Sequence, residues 1–144
     1  MKLRILIIDD EECIRDTFRW HLEDQGHEVL TASEPLSCDI YQGGECCHQH
    51  PCADLLFVDY HMPRMNGLEF LEYLHQKGCK GLAAHRVLIT GDSSAVDMEK
   101  VRELGCQLKE KPVNYEELDK IVQEVERQTD PKRKLNDLLE SGNN

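Results

Sequence analysis

The run Leu55-Leu56-Phe57-Val58-Asp59 decides the fold, because four apolar residues in succession stop on a carboxylate. A strand with one wet face alternates apolar and polar residues, whereas an unbroken apolar run suits a strand covered on both faces, as in a parallel sheet. Leu3–Ile8, which likewise stops at Asp9-Asp10, and Glu28–Ala32 and Val87–Thr90 are further short apolar runs. Between these runs the spacing becomes helical. Ile14, Phe18 and Leu22 lie four apart, Leu68, Leu71 and Leu74 three apart, and Leu118, Ile121, Val122 and Val125 line a further face. Gly26, Gly78 and Gly105 follow the first, third and fourth helical candidates, where a left-handed cap suits glycine. A short charged run, Gln107–Glu110, fits a sheet edge. The expectation is an α/β fold with five strands and five helices.

Two stretches break the pattern. From Glu34 to Cys52, where the second helix is due, Gly43-Gly44, Pro51 and a cluster of Cys and His interrupt any period, so a shortened helix with an inserted loop is expected. From Thr129 onward come Pro131, the basic trio Lys132-Arg133-Lys134 and a short helical pattern through Leu135, Leu138 and Leu139. The trio reads as a charged helix start or linker. The expected organisation is one domain over residues 1–128, carrying an insertion at 38–52, and a tail over 129–144.

At 144 residues the chain has room for one ordinary core. Its net charge of −11 speaks against direct nucleic-acid binding, which needs clustered Lys and Arg against phosphates. No segment approaches the ~20 apolar residues of a membrane span, so a soluble, cytoplasmic protein is expected. In that compartment the seven Cys read as thiols or metal ligands rather than disulfides.

Asp9, Asp10 and Asp59 all end predicted parallel strands, and ligands of open α/β sheets bind outside those carboxyl ends. Two carboxylates ~4 Å apart repel by about 4 kcal/mol at an effective dielectric of about 20, so three in one cleft require a cation. Oxygen ligands favour magnesium. Thr90 ends the fourth strand and Lys111 follows the fifth, bringing a hydroxyl and an ammonium to the same rim. The set makes sense around a phosphoryl group attacked by a carboxylate, with the metal and Lys111 neutralising its oxygens and Thr90 bonding one of them. A cis Lys111-Pro112 peptide is also expected.

Asp9-Asp10 followed by Glu11-Glu12, the run from Phe57 through Asp59 and Pro63 to Gly67, Leu88-Ile89-Thr90-Gly91, and Lys111-Pro112 resemble, in this order, the motifs of the receiver domain of bacterial two-component response regulators. The resemblance spans nearly the whole chain. It implies a flavodoxin-like doubly wound sheet of order 2-1-3-4-5 and phosphorylation of Asp59 by a sensor histidine kinase or histidine phosphotransfer protein. It also implies slow self-dephosphorylation, and magnesium held by Asp10, Asp59 and the His61 backbone carbonyl, with Asp9 assisting. It places a partner-binding face around Met98–Leu104 and Tyr115–Val122, and puts His61 and Asp92 where the family tunes phosphate lifetime. Leu108 stands where the family usually has a switching aromatic residue. The expected protein is therefore a stand-alone signalling switch rather than an enzyme, acting on a downstream protein target, with phosphorylation-dependent homodimerisation left open.

The Cys38, Cys46, Cys47, His48, His50 and Cys52 cluster leaves three readings: a zinc site, which needs about four thiolate or imidazole ligands, a redox disulfide, or a solvated loop. No paired C-x-x-C is present in it. Two rival functions are a haloacid-dehalogenase-type phosphohydrolase, which expects a second Asp where His61 stands, and a metal or redox sensor acting through the cluster. Cys13, Cys79 and Cys106 read as isolated small residues, and His21, His27, His75 and His85 as solvated or locally satisfied.

Overall fold

The computed structural model describes residues 1–33, 53–62, 65–76 and 83–135. Strands β1 (Arg4–Ile8), β2 (Glu28–Ala32), β3 (Ala53–Asp59), β4 (Ala83–Thr90) and β5 (Gln107–Glu110) form one parallel sheet in the order β2-β1-β3-β4-β5. Helices α1 (Glu12–Asp24), α2 (Gly67–Gln76), α3 (Met98–Leu104) and α4 (Tyr115–Gln128) flank it, with a 3-10 turn at Ser93–Ala95. Four α-helices are found among the described residues where five were expected over the whole chain; the expectation of a helix within 34–52 lies outside the described residues.

The unbroken apolar runs build two cores, one on each face of the sheet. Leu6, Ile8, Leu56, Val58 and Leu88 point to the face covered by Leu68, Phe70, Leu71 and Leu74 of α2 and Val101 of α3. Their strand neighbours Ile5, Ile7, Leu55, Phe57, Val87 and Ile89 point to the other, against Phe18 and Leu22 of α1 and Leu118, Ile121, Val122 and Val125 of α4. A period of two along each strand and about 3.6 along each helix produces this division. Each fully buried Leu, Ile or Phe contributes about 1.5–3 kcal/mol.

Strands β3 and β4 begin earlier than their apolar runs. β3 starts with buried Ala53 and Asp54, and β4 with a backbone paired Ala53↔Ala83 and Leu55↔His85. Cross-strand partners rather than hydrophobicity extend both. Gly26 and Gly105 have φ of +95° and +68°, the left-handed region, at the ends of α1 and α3; Gly78 lies outside the described residues.

Within the basic trio, Arg133 makes a long-range contact that its reading as part of a helix start or linker does not include. The Arg133 guanidinium returns to the amino-terminal end of the sheet and donates to the buried Asp54 carboxylate and to the Lys2 carbonyl. No helix forms over 131–135, and the proposed continuation through Leu138 and Leu139 lies outside the described residues. No helix among the described residues is long and apolar enough to cross a membrane.

Candidate functional site

Three backbone hydrogen bonds set the heights of the strand ends. The N–H of Asp9 donates to the Ala32 carbonyl at 3.1 Å, that of Tyr60 to Ile89 at 2.7 Å, and that of Lys111 to Thr90 at 2.7 Å. Asp9, Asp59, Thr90 and Lys111 therefore emerge along one edge of the sheet. Arg15, one turn into α1, donates to the Asp9 carbonyl at 2.7 Å and steadies the β1 end. Gly67 allows α2 to begin close to β3: its N–H donates to the Tyr60 carbonyl, and a Cβ there would stand 2.5 Å from the Asp59 carbonyl oxygen. The Lys111–Pro112 peptide is cis.

One carboxylate oxygen from each of Asp9, Asp10, Glu11 and Asp59 lies within 4.8 Å of all the others. The Lys111 Nζ lies 3.0 Å from Glu11, 3.4 Å from Asp59 and 3.7 Å from Asp9. Burial first, and the Asp9 charge second, push the Asp59 carboxyl from 3.8 up to about 7, against the opposing pull of Lys111. Burial also raises Asp9, opposed by the Glu11 backbone N–H that donates to it at 2.8 Å. Burial alone would lower the Lys111 ammonium, but the Glu11 hydrogen bond and the charges of Asp9 and Asp59 hold it above its ordinary value. Acids raised in this way mark a cleft short of positive charge.

The Asp59 carboxylate is 1% exposed. Its Oδ1 accepts the His61 N–H at 3.3 Å, while its buried Oδ2 has no hydrogen-bond partner among the described residues. A buried carboxylate oxygen without a donor is costly unless something positive or reactive meets it. A hard divalent cation fits this all-oxygen donor set.

The Thr90 hydroxyl is fully buried and engaged elsewhere, donating to the Asp92 carbonyl and accepting the Asp92 N–H, both at 3.1 Å. The Asp92 carboxylate accepts from the Ser94 hydroxyl and N–H, which hold it below the usual carboxylate range. The Tyr60 hydroxyl donates to the Ala95 carbonyl at 3.3 Å, so the loop after Thr90 is tied to the residue after Asp59.

A family model for the response regulator receiver domain matches residues 5–123. The chain belongs to the response regulator receiver domain family. Among curated relatives of this receiver, the alginate biosynthesis transcriptional regulatory protein AlgB of Pseudomonas syringae pv. tomato is 36% identical over 94 residues, covering 65% of this chain and 19% of its own length. The transcriptional regulatory protein AruR of Pseudomonas aeruginosa is 28% identical over 118 residues, covering 80% of this chain and 46% of its own. The receiver thus spans less than half the length of either. Among solved structures, the chemotaxis protein CheY4 of Vibrio cholerae is 26% identical with a TM-score of 0.68, over 87% of this chain and 99% of that one. The response regulator TrrA of Thermotoga maritima, determined with Mg(2+)-BeF, is 26% identical with a TM-score of 0.65, over 87% and 99%. Phosphorylation and magnesium binding at the acidic pocket are general features of receivers, whose phosphoryl groups come from histidine kinases.

The receiver fold brings Asp9, Asp10, Asp59 and Lys111 together as expected from their strand ends, and puts Thr90 at the same edge with its hydroxyl turned to Asp92. Leu108 is partly buried against the core on the α2 and α3 side. His27 is buried and satisfied, and His21 is paired with Asp119 at 2.8 Å and stacked on Tyr115. Trp20 is exposed, as is Cys13, while Cys106 is partly buried. The cluster Cys38, Cys46, Cys47, His48, His50 and Cys52, with its three readings of zinc site, redox disulfide and solvated loop, lies outside the described residues, as does Cys79. Glu11 is the site residue that sequence reasoning left without a role. The run Asp9-Asp10-Glu11 contained the signal, but its direction toward Lys111 depended on the fold.

Proposed function

We propose that Asp59 accepts a phosphoryl group in a magnesium-dependent reaction and thereby changes a protein-binding face. The supporting observation is the buried Asp59 carboxylate, clustered with three other carboxylates, its Oδ1 beside the Lys111 ammonium and its Oδ2 without a hydrogen-bond partner among the described residues. A carboxylate oxygen of Asp59 attacks phosphorus in a phosphohistidine or an acyl phosphate. A new O–P bond forms, the P–N or P–O bond to the donor breaks, and its electron pair leaves with the imidazole or carboxylate. Asp9, Asp10, Asp59 and the His61 backbone carbonyl would hold magnesium, which when bound neutralises charge on the transferring oxygens. Lys111 neutralises a further oxygen, and Thr90 leaves Asp92 to bond one.

That exchange is the route to output. Releasing the Asp92 backbone frees the turn at Ser93–Ala95 that leads into α3, and phosphorylation adds about −1.5 to −2 charges to bias it. We assign the responding surface to α3, β5 and the start of α4, around Met98–Leu104 and Tyr115–Val122, and the input to a sensor histidine kinase or histidine phosphotransfer protein. Residues 1–128 form the receiver unit in this reading, and the output passes to a second protein, in keeping with the acidic surface.

Intact-mass analysis after incubation with magnesium and acetyl phosphate tests the acceptor. One phosphate adduct is expected, absent from Asp59→Asn. An adduct that survives in that variant would place the acceptor elsewhere.

A further inference from the structure

Glu11 occupies the N-cap position of α1, where a side chain commonly accepts from the first helical N–H groups. It makes no such bond. Its carboxylate instead crosses to Lys111, a residue 100 positions away, and makes the shortest of the three contacts to Nζ. The pair joins the start of α1 to the loop between β5 and α4, beside a cavity of about 320 Å³ that both residues help to line. Glu11 is 58% exposed and Asp59 1%, so the ammonium is drawn outward by one acid and inward by another.

We propose that Glu11 is a positioning residue for phosphoryl transfer, parking Lys111 at the rim of the site until a phosphoryl group outcompetes it. This rests on Asp59 being the acceptor. A cation, if held by Asp9, Asp10 and Asp59, would offset the charges that draw Nζ inward and leave Glu11 as its main competitor. Transfer needs an Nζ–H on a phosphoryl oxygen, so the ammonium must be drawn inward against its Glu11 contact as the new O–P bond forms at Asp59 and the donor leaves with its electron pair. Removing Glu11 removes a competitor.

The test compares Glu11→Gln, Glu11→Asp and Glu12→Gln in the full chain. Asp keeps the charge but shortens the side chain by about 1.5 Å, too short to reach Lys111. Glu12→Gln removes a neighbouring exposed charge that has no contact with Lys111. Two quantities are read: the rate of adduct formation from acetyl phosphate with magnesium, and the labelling of Lys111 by an amine-reactive ester, followed by peptide mass spectrometry without donor. Both are expected to rise about two- to fivefold in Glu11→Gln and in Glu11→Asp, and to stay at the parent level in Glu12→Gln, given the usual strength of a half-exposed ion pair. An adduct formed at parental rate by both Glu11 variants overturns the positioning role alone. A rise in Glu11→Gln matched by Glu12→Gln but not by Glu11→Asp also overturns it, in favour of bulk charge. No adduct on the parent chain overturns the acceptor reading and this inference with it.

Discussion

The Arg133 guanidinium grips the Asp54 carboxylate with two hydrogen bonds, Nε to Oδ1 at 2.8 Å and Nη2 to Oδ2 at 2.6 Å, across 79 residues of sequence. Asp54 also accepts the Arg4 N–H at 2.9 Å, so one buried carboxylate ties the segment after α4 to the first residue of β1. Removing one partner of a buried pair leaves an uncompensated charge. Arg133→Ala is expected to cost about 2–3 kcal/mol in urea unfolding. Arg133→Lys should recover only part, because an ammonium cannot make the two-pronged contact. Equal stability of parent and Arg133→Ala would show the contact to be idle.

Gly67 stands where a side chain would collide with the strand that carries Asp59. An added Cβ meets the Asp59 carbonyl oxygen at 2.5 Å and Leu88 Cδ1 at 2.7 Å. Gly67→Ala should therefore destabilise by about 1–3 kcal/mol and slow adduct formation, since relief requires moving the Asp59 backbone. Gly91→Ala is the matched control, because its Cβ meets nothing within 4 Å. Calorimetric melting of the two variants side by side, with comparable losses, would contradict the close approach.

His27 makes stability fall in mild acid. Its Nδ1 accepts the Leu3 N–H at 3.1 Å, and its Nε2 lies 3.4 Å from Glu126. Burial lowers its pKa below 6.5, with the N-terminal charge assisting and Glu126 and Asp54 opposing. The unfolded chain then takes up the proton first as pH falls. Stability attributable to this residue is full above about 6.5 and is lost as pH drops toward the folded value, by about 1 kcal/mol for each unit of difference. His27→Gln should flatten that part of the pH profile in urea titrations; an unchanged slope would contradict the assignment.

Asp59 acts in the opposite sense in the cation-free chain. Its carboxyl rises from 3.8 to about 7, so the folded state holds the proton that the unfolded state releases. The associated stability is present below 3.8 and disappears as pH climbs through about 7. Asp59→Asn should therefore be more stable than the parent at pH 8 without magnesium, by roughly 2–4 kcal/mol. Magnesium should narrow the gap by stabilising the parent. A variant melting at or below the parent under cation-free conditions would count against this charge balance.

The sequence by itself determined the layers of this protein and the rim on which its chemistry stands. Runs such as Leu55–Val58 and faces such as Leu118, Ile121, Val122 and Val125 carry the periods of strand and helix in local order, and the carboxylates that end two of the apolar runs place Asp9 and Asp59 at one edge of any parallel sheet built from them. Tertiary structure alone decided which groups touch. The Glu11–Lys111 pair joins residues 100 apart and the Arg133–Asp54 pair residues 79 apart, and neither lies within reach of a local period. The engagement of Thr90 by Asp92, the unpartnered Asp59 Oδ2 and the raised Asp59 pKa likewise depend on burial and on distances between strand ends. Hydrophobic periodicity is a property of neighbours along the chain, whereas ionisation and ion pairing answer to charges and solvent brought near only by folding.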